Sequence, residues 1–428
     1  MTVSDDRPRS EPLRGDDRRL ERPAAQGSRA VQLALVVSMA LGILAMSLAR
    51  TLTGSWEPVA TFLADGAHAA SEVSDPAAAN RSMLAAMRRF EDALDDTSPL
   101  RAAILPTVQW ASVALGGVGN ATTVVGDDDW LLLRPGVDHL LGRGFLDAGE
   151  LMRRTRGGEA FEPAPHPDPR PAILDTARQL AQRDIELWVL FAPTKAAIHP
   201  EALGAAIDEV AANPSTARLA EELQRAGVVV VDPSPMLRTM ARAGEQLFLR
   251  TDSHWSPRAV DAVARVAAAA IEERVRLSPG DGPLWRRRAR VEVGRGDLFA
   301  ALRLPERRPM LPREEVEILQ VLDGRDRFWA PDPSAEVLLL GDSFTNVFAE
   351  SRLGWGEAAG LAEQMSFHLG RPLDRLAVDD GSATEVRRRL AALERDGAGR
   401  LDRKRVIVWQ IAVRELSFGD WRTVDLGG

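Results

Sequence analysis

The sequence predicts an α/β fold: a mostly parallel sheet with helices on both faces, preceded by one transmembrane helix and a helical stalk. Short apolar runs recur in the larger C-terminal part, at Ile185–Phe191, Val228–Val231, Val337–Leu340 and Val406–Ile411. Strands buried on both faces read as continuous apolar runs, whereas strands with one wet face alternate. Stretches with helical apolar spacing separate these runs, and alternating β and α units imply parallel strands joined by helical crossovers. Upstream, Ala30–Ala49 contains no charged residue. Twenty such residues in a helix span roughly 30 Å, one hydrocarbon core.

Residues 1–29 are polar and charged, with Pro8, Pro12 and Pro23, and read as a disordered cytoplasmic tail. Residues 30–50 read as a signal anchor, bracketed by Arg29 and Arg50. The preceding segment carries Arg7, Arg9, Arg14, Arg18, Arg19 and Arg22, which predicts a cytoplasmic N-terminus, a single pass and the bulk of the chain outside. A cleaved signal peptide would use Ser47-Leu48-Ala49; the long leader and the length of the apolar run favour an anchor. Residues 51–126, alanine-rich, form the expected membrane-proximal stalk. The folded domain covers 127–428 and opens with a strand and turn at Trp130–Gly136. A strand at Ile185–Phe191 precedes an amphipathic helix over 205–225 and a second strand at Val228–Val231. Helix Pro235–Ala243 leads to a strand at Leu247–Leu249 and then helix Arg258–Arg274. A loop-rich, arginine-rich insertion is expected over about 277–334. Strand Val337–Leu340, helix Thr384–Glu394 and strand Val406–Ile411 complete the domain.

Composition removes several chemistries. Lysine plus arginine is 54 against 62 acidic residues, a net charge of −8, which argues against a nucleic-acid partner. The absence of cysteine excludes thiol nucleophiles, disulfides and cysteine-held metals. Six histidines, none in an H-E-x-x-H pattern, and no phosphate-binding G-x-x-x-x-G-K-[ST] motif remove two further classes. No cofactor or metal is expected.

Two clusters fall at strand ends, where ligands sit in open α/β sheets. The run Glu336–Thr345 delivers Ser343 onto a Gly341-Asp342-Ser343 turn at a helix start. Such a serine exposes its hydroxyl and presents its own N–H to an oxyanion; an ordinary junction with Asp342 or Ser343 as N-cap would give the same triplet. Asp252-x-His254 supplies what a serine nucleophile needs, a base and a carboxylate that fixes the tautomer of the base. A capping histidine beside Trp255 is the plainer alternative for His254 taken alone. Trp285-Arg-Arg-Arg-Ala-Arg290 could track an anionic polymer or form a solvated loop face.

The Gly341-Asp342-Ser343-Phe344 block resembles the first block of the SGNH (GDSL-like) esterase and acyltransferase superfamily. Thr251-Asp252-Ser253-His254-Trp255 precedes it, which is similar to the permuted arrangement of the alginate O-acetyltransferase AlgJ/AlgX type. Asp129–His139, Pro193-Thr-Lys195, Gly296-Asp-Leu298, Asp380–Ala383 and Val408–Leu416 extend the resemblance over 127–416. It implies an enzyme anchored in the inner membrane by a single pass, whose SGNH-hydrolase-like catalytic domain lies in the periplasm and moves acetyl through Ser343 onto an exported polysaccharide, with His254 as base and Asp252 as its orienter. It further implies a membrane-bound O-acyltransferase as acetyl donor and an export complex as partner. Gly381, Asn346 and Arg414 are the oxyanion and substrate candidates; Arg414 could equally form a structural ion pair. A carbohydrate acetyl-esterase with the same residues, or a non-catalytic polysaccharide-binding scaffold, are the alternatives.

Overall fold

Alternate residues of the central strands point into two separate hydrophobic layers, the signature of a sheet covered on both sides. The computed structural model describes residues 56–71, 76–157, 165–204, 212–278, 285–305, 310–379, 381 and 383–427. Nine strands are formed among these: β1 (Thr123–Val125), β2 (Leu131–Leu133), β3 (Glu186–Ala192), β4 (Val229–Val231), β5 (Arg286–Gly294), β6 (Glu314–Leu322), β7 (Val337–Gly341), β8 (Asp374–Ala377) and β9 (Val406–Ala412). Five of them make one parallel sheet in the order β4-β3-β9-β7-β8. Trp188, Leu190, Leu339 and Val408 face one layer, with Val260, Val263 and Ala267 of the helix Pro257–Arg274. Leu187, Val189, Phe191, Leu340 and Trp409 face the other, with Ile173 and Leu180 of Pro169–Ala181, Leu219 of Pro214–Arg225 and Leu390 of Glu385–Arg395. The expected α/β architecture is present.

Several local expectations need revision. The helix expected over 205–225 runs from Pro214 to Arg225, because Asn213 caps it: its side chain accepts from Ser215 N–H and Pro214 holds the first position. Residues 205–211 lie outside the described residues. Leu131–Leu133 is a strand, but it pairs antiparallel with β1 in a separate small sheet. The chain then enters helix α1 (Arg134–Leu141) directly, with Pro135 in its first turn, where a missing N–H costs nothing. Leu247–Leu249 forms no ladder. Its loop instead closes on itself through Ser256 N–H to Leu247 O at 2.8 Å and Leu249 N–H to His254 O at 3.1 Å. The 277–334 insertion contains an antiparallel ribbon, β5 with β6, nine residue pairs long. The edge strand β8 and the helix Leu361–Leu369 were not anticipated.

Residues 57–116 form three helices, Glu57–Ser71, Pro76–Asp96 and Pro99–Gly116. Phe62 stacks on Phe90 at 4.7 Å, and Val113 reaches the domain in a cluster with Leu131, Leu298 and Leu302. The single-pass inner-membrane placement is corrected: no helix among the described residues is long and apolar enough to cross a membrane. The segment 30–50, to which the span was assigned, lies outside the described residues, as does the tail 1–29.

Candidate active site

The site forms where two loops meet at the carboxyl edge of the sheet. Strand β7 ends at Gly341, and Asp342 caps the short helix Ser343–Asn346 by accepting from Phe344 N–H at 2.9 Å. Gln410, from the neighbouring strand β9, fixes this turn: its Oε1 accepts from Asp342 N–H at 3.1 Å and from Thr345 Oγ1 at 2.9 Å. Residue 341 must be glycine there, since a Cβ would lie 2.1 Å from Thr345 Oγ1 and 2.9 Å from Gln410 Oε1. Ser343 occupies the first helical position, where no preceding carbonyl lies within the helix to take its N–H.

The 250–256 loop brings Asp252 and His254 against this turn. His254 Nε2 lies 2.8 Å from Ser343 Oγ, and His254 Nδ1 lies 2.6 Å from Asp252 Oδ1. An ionised carboxylate only accepts, so Nδ1 carries the proton and Nε2 is left to accept from the serine hydroxyl. All three residues are buried. Asp252 is saturated: Oδ1 also accepts from His254 N–H at 3.0 Å, while Oδ2 accepts from Trp355 Nε1 at 2.8 Å and Asp297 N–H at 3.1 Å. Burial by itself would push its carboxyl up. The imidazole of His254 and these donors outweigh burial and hold it below the usual carboxylate range. For His254 burial works toward the neutral form, and the adjacent Asp252 outweighs it, so the imidazole titrates above its ordinary value.

Residues with no expected role hold this loop in place. Glu314 on β6 accepts from Arg250 N–H at 2.6 Å and Thr251 N–H at 2.7 Å. Asp297 accepts from Ser253 N–H at 2.7 Å and Ser253 Oγ at 2.6 Å. Gly296 must lack a side chain, because a Cβ would come within 2.2 Å of Asp252 Cβ. Lys195 donates to Leu131 O at 2.5 Å and Arg250 O at 3.1 Å, and burial pushes its ammonium down to about 8. Asp297, Lys195 and Gln410 lay in stretches already singled out by resemblance. Trp355 and Glu314 carried no sequence signal.

The other candidates occupy defined places. Asn346 is buried one turn after Ser343, with its Nδ2 donating to Asp379 Oδ1 at 3.0 Å. Gly381 is buried and its N–H donates to Val378 O at 3.3 Å. Each thus has a partner other than Ser343, and the second N–H of the Asn346 amide is not used by that bond. Arg414, just past β9, lies over the Phe344 ring at 5.3 Å, and among the described residues it pairs with Glu415 Oε1 at 4.0 Å. The arginines of 286–290 are paired along β5: Arg287 with Asp261, Arg288 with Gln320, and Arg290 with Glu292. Among the described residues, Asp252, His254 and Asp297 are the one group that could gather round a cation. Their lone pairs already serve the hydrogen bonds above.

A serine hydroxyl bonded to a carboxylate-held imidazole can exchange its proton and attack a carbonyl carbon. Comparison with known proteins gives the family. The probable alginate O-acetylase AlgJ of Pseudomonas aeruginosa is 28% identical over 269 residues, 59% of this chain and 60% of that protein. Its namesake in Pseudomonas fluorescens is 26% identical over 277 residues, 60% of this chain and 62% of that protein. The matched region thus spans about 60% of the length of these curated relatives. The O-acetyltransferase domain of Pseudomonas putida AlgJ shares the fold, with a TM-score of 0.51 at 22% identity, covering 70% of this chain and 93% of that domain. Residues 124–413, more than half of the chain, match the SGNH hydrolase-like domain of the acetyltransferase AlgX family, and the chain belongs to that family.

Proposed function

We propose that the chain is an O-acetyltransferase that carries acetyl on Ser343 and delivers it to hydroxyls of an alginate-like polysaccharide. The continuous hydrogen-bonded path from Ser343 through His254 to Asp252 supports this most directly. His254 Nε2 takes the Ser343 proton as Oγ attacks the acetyl carbonyl of the donor. The Ser343 N–H at the helix start faces the developing oxyanion. Collapse breaks the bond to the donor oxygen, which leaves with the proton from His254, and acetyl-Ser343 remains. A sugar hydroxyl then gives its proton to His254 and attacks the acetyl carbon. The second collapse releases the sugar ester and returns the proton to Ser343. Asp252 keeps Nδ1 protonated and stabilises the imidazolium in both halves.

The names of the relatives suggest alginate as the acceptor. By family resemblance, the donor is a membrane-bound O-acyltransferase and the product stays within a polysaccharide export complex. The test is intact-mass spectrometry of the full chain after p-nitrophenyl acetate. An added mass of about 42 Da, one acetyl, is expected on the wild type and not on Ser343→Ala. Added oligosaccharide should then take the acetyl. Release to water alone would identify an esterase, and a folded chain that never labels at Ser343 would point to a scaffold.

A further inference from the structure

We propose that a second copy of this chain pairs along the free edge of β5, about a twofold axis at Val291, and continues the β5–β6 ribbon into a four-stranded antiparallel sheet. This goes beyond the acetyl-transfer reading and does not depend on it. Strand β5 is nine residues long and pairs with β6 alone among the described residues. On its other side, no backbone hydrogen bond links Arg286–Gly294 to any described residue. The far edge of β6, by contrast, is engaged: Val321 N–H donates to Ala358 O at 2.8 Å, and Val321 O accepts from Trp329 N–H at 2.9 Å. A long unpaired edge is a template for another strand.

The side chains decide which strand fits. Arg288, Ala289, Arg290 and Val291 are exposed in succession, so neither face of β5 is covered there. Val291 and Val293, on one face, are each 51% exposed. Arg290 and Glu292 lie on the other face and pair with each other at 2.7 Å. Two copies of one strand related by a twofold axis in this way run antiparallel, and each residue faces one on the same side of the sheet. The position of the axis therefore fixes the register. With the axis at Ala289, Arg288 of each copy faces Arg290 of the other. With the axis at Arg290 or at Glu292, that charge faces itself. Like charges directly opposite are destabilising. Of these central axes, Val291 alone avoids them along 288–294. Arg290 of each copy then faces Glu292 of the other, and Arg288 faces Gly294. On the opposite face Val291 meets Val291, and Ala289 meets Val293, which covers the exposed apolar strip. Charges on an edge strand normally repel an arriving chain. Here their spacing admits one that carries the same sequence. Because β6 holds the catalytic loop through Glu314, the joined ribbons would brace both sites at once.

The chain contains no cysteine, so an introduced thiol reports on its own position. The full Val291→Cys chain, oxidised with copper phenanthroline, should form a covalent dimer. Residues facing each other across the axis bring their Cβ atoms to about 4.5–5.5 Å, close to disulfide reach. Ala289→Cys should not cross-link, because the two copies of residue 289 stand about 13 Å apart along the strands. The double variant Ala289→Cys/Val293→Cys, whose thiols face each other, should. Sedimentation equilibrium of the full chain tests the charges. The wild-type dimer should weaken at least about tenfold in Arg290→Glu and recover in Arg290→Glu/Glu292→Arg, which exchanges the two charges. Absence of a link at 291, or equal linking at 289 and 291, would overturn the pairing. So would a wild-type chain that stays monomeric throughout, a dimer unmoved by Arg290→Glu, or a folded charge-exchange variant that fails to recover.

Discussion

Replacing Trp355 with phenylalanine would reveal how much of the site depends on a single indole N–H. Trp355 is fully buried and donates to Asp252 Oδ2 at 2.8 Å, leaving Asp297 N–H at 3.1 Å as the one other donor to that oxygen among the described residues. A hydrogen bond to an ionised group contributes about 1.5–3 kcal/mol. Its loss lets the Asp252 carboxyl rise toward the usual carboxylate range. The smaller ring also leaves a void, so the single substitution mixes two costs. Urea unfolding of the wild type, Trp355→Phe, Asp252→Ala and the double variant separates them. The expected coupling is at least about 1.5 kcal/mol; additivity within about 0.5 kcal/mol would refute the reasoning. Acid provides a second check. A carboxyl depressed in the folded state contributes stability above its unfolded pKa and loses it as pH falls through the folded value. The deficit of Trp355→Phe should therefore be full near neutrality and shrink below about pH 4. A deficit that ignored pH would mean that the indole acts by packing alone.

Because Asp252 holds the His254 imidazole above its ordinary value, the rate with p-nitrophenyl acetate should fall with acid through an inflection above about 6.5. Asp252→Asn should lower the rate on the order of 10⁴-fold and move that inflection to lower pH; an unshifted inflection would count against the pairing. Glu314→Gln replaces charge-assisted bonds to Arg250 and Thr251 N–H with neutral ones, which are roughly half as strong. Its kcat should drop severalfold with KM nearly unchanged, and an inflection at the wild-type pH would show that Glu314 only stabilises the fold. Gly341→Ala forces a Cβ to within 2.1 Å of Thr345 Oγ1 and should cost about 1–3 kcal/mol in urea unfolding. Gly149→Ala, in the helix Ala148–Arg156 with open space around the new Cβ, should instead stabilise the chain by about 0.5–1 kcal/mol.

The buried strands could be read from the sequence because burial on both faces leaves almost nothing but apolar residues, as at Val337–Leu340 and, apart from Gln410, Val406–Ile411. The same physics hid two others. Strand β8 lies at the sheet edge, where buried Asp374 is paired with Arg400 and Lys404 and Arg375 with Glu363, so its four residues mix charge with aliphatics. In β5 the alternation is masked by arginines, whose stems cover apolar surface while their heads find partners. Arg287, for example, stacks on Phe367 at 3.9 Å and pairs with Asp261. Ser343, His254 and Asp252 stood out because a Gly-Asp-Ser turn closes an apolar run and an Asp-x-His pair offers the base and carboxylate that such a serine needs. Trp355 did not, since a buried tryptophan is ordinary and only its N–H direction distinguishes it.

The chain order Asp252, His254, Ser343 imposes no constraint on the geometry, and the packing shows why. One loop follows β7 of the five-stranded sheet, and the other is tied to β2 of the small antiparallel sheet through Leu131 N–H to Arg250 O at 2.8 Å. Their mutual register is then set by contacts far apart in sequence, Trp255 Nε1 to Phe344 O at 2.9 Å and Trp355 Nε1 to Asp252 Oδ2 at 2.8 Å. Glu314 and Asp297 come from the 277–334 insertion, which lies between the two loops in sequence and braces the first of them in space. An insertion that supplies a carboxylate to hold backbone N–H groups cannot be shortened freely. Deleting the β5–β6 ribbon should therefore disorder the 250–256 loop before it disturbs the five-stranded sheet, which the ribbon does not join.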